Sequence, residues 1–177
     1  MRFYLSGGME FKADLGVAWR DWLTAELAKL GHSSIDPTKI EEDENITGPV
    51  QKYLIQMKME GKLDEVRRIA RQSLFRKDMF AIQLADATVV LYDESAQRGA
   101  GTTSEAWESF REGRPIYMIT RLPLEKMSTW LIGETTQVFL DFEDFLTYAK
   151  DHEQLSIDAL RAKQIRDEVL GGIYSAS

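Results

Sequence analysis

The chain has 177 residues, a formal charge of −7, no cysteine and a hydrophobic fraction of 44%, which suits one soluble domain with a well-buried core and leaves little room for a second. The acidic balance speaks against a nucleic-acid backbone as partner, which needs clustered Lys and Arg, and no run approaches the roughly 18 uninterrupted apolar residues of a membrane span. Without cysteine there is no disulfide framework or thiolate chemistry, and Arg2 leads straight into Phe-Tyr-Leu-Ser-Gly-Gly rather than an apolar leader, so the expectation is a cytoplasmic protein.

Residues 2–6 read as a first strand that ends at Gly7-Gly8. From Asp14 to Leu30 the residues Leu15, Ala18, Trp19, Trp22, Leu23, Leu27 and Leu30 recur at three and four, predicting an amphipathic helix closed by Gly31. His32 to Asp36 suits an edge strand stopped by Pro37. Glu41 to Gly48 is acidic and reads as a surface loop of lid-like length. A short helix over about 50–60 is separated by Gly61 from a longer one, Leu63 to Leu84. On that helix Asp78 shares a stripe with Leu74 and Ile82, four residues away on either side, so an acid is aimed inward.

Ala87 to Tyr92 is nearly all apolar and partly β-branched, as a central strand covered on both faces requires. A helix is expected from Thr103 to about Glu112, a strand from Ile116 to Thr120, and a helix opened by Pro123 that runs through Trp130. Gln137 to Leu140 reads as the last strand and Phe142 to Lys150 as a helix. The tail predicts a final helix with Ser156 as N-cap, running to Leu170 and stopped by Gly171-Gly172. Alternating strands and helices give an α/β fold, a five-stranded parallel sheet with helices on both faces. Residues 1–150 are read as the α/β domain and 151–177 as a C-terminal helical extension packed on it.

In such sheets ligands sit beyond the carboxyl ends of the strands. The loop after Tyr92 is therefore the expected site, and Gly99 and Gly101 let backbone approach a ligand closely there. Glu105 is the lead candidate for chemistry. A structural role competes with it: Thr102-Thr103-Ser104-Glu105 fits a capping box, with Thr102 as cap and Glu105 folded back on its amide. Tyr4, beside the Gly7-Gly8 turn, is placed to bond the Glu105 carboxylate. Asp86, at the other end of the strand, is assigned to ending the preceding helix. His32 and His152 lack ligand-spaced partners, so no metal is called, and Gly7-Gly8 has no third glycine for a dinucleotide fingerprint. No cofactor is expected.

Tyr4-Leu5-Ser6-Gly7-Gly8, Asp78 eight residues ahead of Asp86, and Gly101-Thr102-Thr103-Ser104-Glu105 followed by Gly113-Arg114-Pro115-Ile116 together resemble the nucleoside 2-deoxyribosyltransferase family, across about residues 2–145. The resemblance implies a flavodoxin-like (Rossmann-like) sheet and a double displacement at the anomeric carbon of deoxyribose. By that analogy Glu105 is the nucleophile, Tyr4 holds it, and Asp78 contacts and protonates the leaving base. Gly7, Gly8, Gly99, Gly101, Thr102 and Ser104 would line the substrate. Partners would be a small nucleoside or nucleotide and a free nucleobase, with a second subunit completing the site in a homo-oligomer.

Where family members that take free nucleosides often have Asp, and monophosphate hydrolases tend to have Ser, this chain has Gly99. A 2'-deoxynucleoside 5'-monophosphate N-hydrolase is therefore the alternative enzyme, and a non-catalytic nucleotide-binding module the alternative of another class. The run Gly99 to Glu105 also resembles the signature of phosphoribohydrolases acting on cytokinin riboside monophosphates, without their Pro-Gly-Gly lead-in. Both families make Glu105 a residue of N-glycosidic bond chemistry.

Overall fold

The computed structural model describes residues 1–40 and 50–174. Five strands, β1 (Arg2–Gly7), β2 (Ser33–Ile35), β3 (Ala87–Leu91), β4 (Ile116–Ile119) and β5 (Gln137–Phe139), form one parallel sheet in the order β2-β1-β3-β4-β5. This is the flavodoxin-like order, with its switch point between β1 and β3. Gly7 pairs with Leu91, and Leu91 with Ile119, so three strands end level beside that switch point.

Alternation along β1 assigns the two faces. Phe3 and Leu5 pack with Leu23 and Leu27 of α1 (Val17–Lys29), Phe145 of α8 (Phe142–Ala149) and Leu155 of α9 (His152–Tyr174). Tyr4 points the other way, onto Ala81 and Ile82 of α4 (Arg76–Leu84). Val90 and Met118 share that second side with Ala106 of α6 (Gly101–Arg111) and Leu131 of α7 (Thr129–Glu134). The remaining helices are α2 (Val50–Met59), α3 (Leu63–Ile69) and the short α5 (Glu94–Arg98), which the periodicity did not reveal. Between α3 and α4, Ala70–Phe75 is wound as a π-helix, so the expected single helix runs through a wide turn.

Several boundaries differ from expectation. Pro123 does not open a helix to Trp130: Leu124–Lys126 is a 3-10 turn, and α7 starts only at Thr129. The last helix starts at His152, where Asp151 Oδ1 accepts the Gln154 amide at 2.9 Å. Ser156 lies inside that helix, its hydroxyl bonded back to the His152 carbonyl, and the helix continues past Gly171 to Tyr174. Asp86 does not end α4 with its side chain; its carboxylate accepts the Arg2 amide at 2.8 Å and fixes the start of β1. The Glu41–Gly48 loop lies outside the described residues. No described helix is long and apolar enough to cross a membrane.

The C-terminal helix is tied down by a buried carboxylate. Asp158 Oδ2 accepts the hydroxyls of Tyr117 at 2.9 Å and Tyr148 at 2.7 Å, and Oδ1 accepts Gln154 Nε2 at 3.0 Å. Asp158→Ala would leave the fully buried Tyr117 hydroxyl without this acceptor. The expected loss is about 2–3 kcal/mol, read as a lower urea midpoint with an unchanged m value.

Candidate active site

A cavity of about 360 Å³ opens beyond the carboxyl ends of β1 and β3. Its inner wall is Gly7-Gly8, one side is α4 with Asp78 and Met79, and the other is the Gly99–Ser104 turn with Glu105. Leu54 of α2, Val66 of α3 and Leu74 within the π-helical turn add apolar surface to the wall. A larger hollow of about 970 Å³ lies at the sheet edge, between β2 and α4, among Ile35, Lys77 and Phe80. It is a broad surface trough without a perturbed acid, so the smaller cavity is the candidate site.

Glu105 faces that cavity from the second turn of α6. The helix starts at Gly101 with Ala100 as N-cap and no side-chain cap, so Thr102 does not cap it. The capping box is therefore not formed. Glu105 Oε2 instead accepts the Ser6 hydroxyl at 2.5 Å. Enclosure by protein, then the negative charge of Asp78, push its pKa up from the ordinary carboxylate value to about 7. The Ser6 hydrogen bond, the Arg20 cation and the Tyr4 hydroxyl act in the opposite direction. The result is a carboxylate balanced between its two protonation states near neutral pH.

Tyr4 is fully buried behind Glu105, and burial followed by the Glu105 charge raises its pKa well above the usual phenol value. Among the described residues its hydroxyl makes no hydrogen bond within 3.5 Å. Tyr4 and Glu105 nonetheless act on each other as hydrogen-bonding neighbours, each shifting the other's pKa, while Ser6 makes the short direct bond to the carboxylate. Ser6 was legible in principle, because period-2 alternation puts it on the same strand face as Tyr4.

Arg20 was missed outright. This residue of α1 is fully buried, with Nε donating to Leu5 O at 3.0 Å, Nη2 to Gly7 O at 2.9 Å and Nη1 to Gly16 O at 3.0 Å. It stacks on the Trp19 ring and has Asp36 Oδ1 at 3.8 Å. A guanidinium presents several donors in a fixed fork, which is how one side chain serves these three carbonyls and, from Nη1 at 3.4 Å, Leu15 O as well. Gly16, at φ 73°, is required beside it: a Cβ there would lie 2.5 Å from Nη1.

The glycines divide by role. A Cβ on Gly7 would meet the Trp19 ring at 2.9 Å, and one on Gly8 would meet Ser95 Oγ at 2.5 Å and the Ala96 nitrogen at 2.8 Å. These two permit α1 and α5 to pack against the end of β1, although both also line the cavity. Gly101 has open space beside it, whereas a Cβ on Gly99 would make ordinary contact with the Phe11 ring at 3.8 Å; both lie along the rim with Thr102 and Ser104. Glu10 and Lys58 form an ion pair at the mouth, and Phe11 lies under Arg98, whose guanidinium carbon is 4.4 Å from the ring centre. Among the described residues no three His, Cys, Asp or Glu side chains converge on a metal-binding arrangement.

No family model and no curated protein matches the chain. Solved structures do. A 2-deoxyribosyltransferase from Bacillus psychrosaccharolyticus matches at 18% identity and a TM-score of 0.59, over 88% of this chain and 96% of that one. A conserved protein from Enterococcus faecalis matches at 13% and 0.56, over 85% and 97%. A 2-desoxiribosyltransferase from Leishmania mexicana matches at 21% and 0.53, over 85% and 97%. At these identities the likeness is one of fold.

Proposed function

We propose that the chain is an enzyme of the N-glycosidic bond that takes 2'-deoxynucleosides, forms a covalent deoxyribosyl ester on Glu105, and passes the sugar to a second nucleobase or to water. The observation that carries this is the placement of Glu105, a half-neutralised carboxylate held by Ser6 at the strand ends and facing Asp78 across a nucleoside-sized cavity. The 2-deoxyribosyltransferases of the same fold support the reading.

In the first displacement Glu105 attacks C1', the C1'–N bond breaks, and its electron pair goes to the base nitrogen, with Asp78 supplying the proton. In the second, a base nitrogen or water attacks C1' from the vacated side, Glu105 leaves as carboxylate, and the proton returns to Asp78. Configuration is retained across the two inversions. Ser6 orients the nucleophile through its hydrogen bond. Arg20 and Tyr4 sit behind and shape its charge without touching substrate.

One observation favours a second reading, hydrolysis of deoxynucleoside 5'-monophosphates. The first turn of α6 has no side-chain cap, and Gly101, Thr102 and Ser104 at its start line the cavity. Exposed amides at a helix N-terminus favour an anion. Incubation with deoxyadenosine and free cytosine, in parallel with deoxynucleoside monophosphates in water, separates the two. Deoxycytidine formation supports transfer, whereas base release from monophosphates alone replaces it with hydrolysis.

A further inference from the structure

We propose that the cleft beside the catalytic pocket is a subsite for a planar aromatic substituent attached through N–H to the substrate's base, an inference that rests on the N-glycosidase reading above. The cleft, of about 600 Å³, shares Phe75, Met79 and Ser104 with the catalytic cavity. Asp78 lines the catalytic cavity together with Phe75 and Met79, two of the residues shared with the cleft, so a base held against Asp78 lies beside the junction of the two spaces.

The walls suit a flat ring. Trp107 of α6 is stacked on Phe110, with centroids 5.6 Å apart and an interplanar angle of 18°, so it is a fixed surface. Trp130 of α7 stands 5.8 Å from Trp107 and is 71% exposed, so much of its indole has no protein against it. Aromatic faces of this kind gain from stacking on another π-system.

Glu134 lines the same cleft and is only 7% exposed. Its Oε2 has no hydrogen-bond partner among the described residues, while the Trp130 indole acts on the same carboxyl as a hydrogen-bonding neighbour that partly offsets its burial. A buried acceptor left without a donor is costly, and a ligand N–H removes that cost. Burial also raises the pKa of this carboxyl to about 7, the same physical consequence of poor solvation. Glu108 adds a second acid to the cleft, which disfavours a phosphate there. An aromatic amide on the exocyclic nitrogen matches both features, with a ring for the indoles and a donor for Glu134.

The test pairs 2'-deoxyadenosine with its N6-benzoyl derivative and 2'-deoxycytidine with its N4-benzoyl derivative, with base release measured for the wild type and Trp130→Ala. The expected result is a kcat/KM for a benzoylated member at least equal to its parent's. Trp130→Ala should lower that value about tenfold while leaving the parent within about twofold. Cleavage of the parents with rejection of both benzoylated forms, or an equal loss on both members in the variant, overturns the subsite. So does conversion of a dimer to monomer by Trp130→Ala in sedimentation without a substrate-selective effect, which assigns the face to a second copy of the chain. If no nucleoside is cleaved, the reading as an enzyme of free deoxynucleosides fails, and the cleft is then judged by tryptophan fluorescence titration with N6-benzoyladenine against adenine. Tighter binding of the benzoylated base, abolished by Trp130→Ala, sustains it; equal binding overturns it.

Discussion

Glu105→Gln is expected to lower turnover by on the order of 10³-fold or more and, at the same time, to make the protein more stable above neutral pH. The loss of rate follows from replacing the proposed nucleophile with an amide of nearly the same shape. The gain in stability follows from linkage. The folded-state pKa of Glu105 is about 7, raised by burial and by Asp78 from an ordinary value of 4.5. Below pH 4.5 the carboxyl is protonated in both folded and unfolded chains and costs nothing. Between 4.5 and 7 the folded chain keeps a proton that the unfolded chain releases, so stability falls as pH rises, and the loss is complete above 7. Because one side of the carboxylate opens to the cavity, the penalty is discounted to about 2 kcal/mol.

Thermal melts should therefore coincide for wild type and variant near pH 4 and separate by pH 8, with Glu105→Gln the higher. In the wild type, kcat/KM should show an ascending limb through about pH 7 as the nucleophile ionises. Intact-mass spectra of the wild type held with a deoxynucleoside should show the added deoxyribosyl group, and the variant should not. Full activity in Glu105→Gln would remove the residue from the mechanism. A lower melting temperature at pH 8 would mean that its carboxylate stabilises the fold rather than straining it.

Arg20→Met is expected to destabilise the chain by about 4 kcal/mol, enough to remove a large part of a small domain's stability. The substitution leaves three buried carbonyls, Leu5 O, Gly7 O and Gly16 O, without their donor, and Asp36 without its nearby cation. Lysine should not restore the loss, because a single ammonium cannot reach carbonyls on β1 and at the start of α1 from the guanidinium's several directions. Chemical denaturation measures the stability. In whatever fraction remains folded, the pH–activity limb should move upward, since Arg20 is one of the groups holding the Glu105 pKa down. A variant as stable as wild type, with an unmoved limb, would overturn both statements.

Sequence and structure agree where side-chain geometry is local. The parallel sheet followed from apolar runs such as Ala87 to Leu91, and the convergence of Asp78 and Glu105 followed from helical phase and from strand ends that lie level. Local motifs left a competing role open, or misled, where they had a longer-range competitor. Thr102 to Glu105 has the letters of a capping box, but Ser6, 99 residues away in the chain, takes the carboxylate. Ser156 has the letters of a cap, but Asp151 starts the helix one turn earlier. Arg20 was hidden for a different reason. Between Trp19 and Trp22 it looks like the polar interruption of an amphipathic stripe, and only the fold brings the carbonyl ends of β1 to it. Nothing short of tertiary structure distinguishes such an arginine from a solvated one.

The π-helical turn at Ala70–Phe75 has a consequence for how this pocket can change over time. In an ordinary helix the loss or gain of one residue rotates everything beyond it by about 100° and turns the buried face outward. Here the wide turn already holds a surplus residue between Val66 on α3 and Asp78 on α4, both of which face the cavity. The two halves of the wall are thereby uncoupled in phase. A single-codon deletion within 70–75 would reset the apolar half against the acid while leaving Ala81 and Ile82 seated on the sheet, so a lineage can redraw this cavity by changing length as well as by substitution.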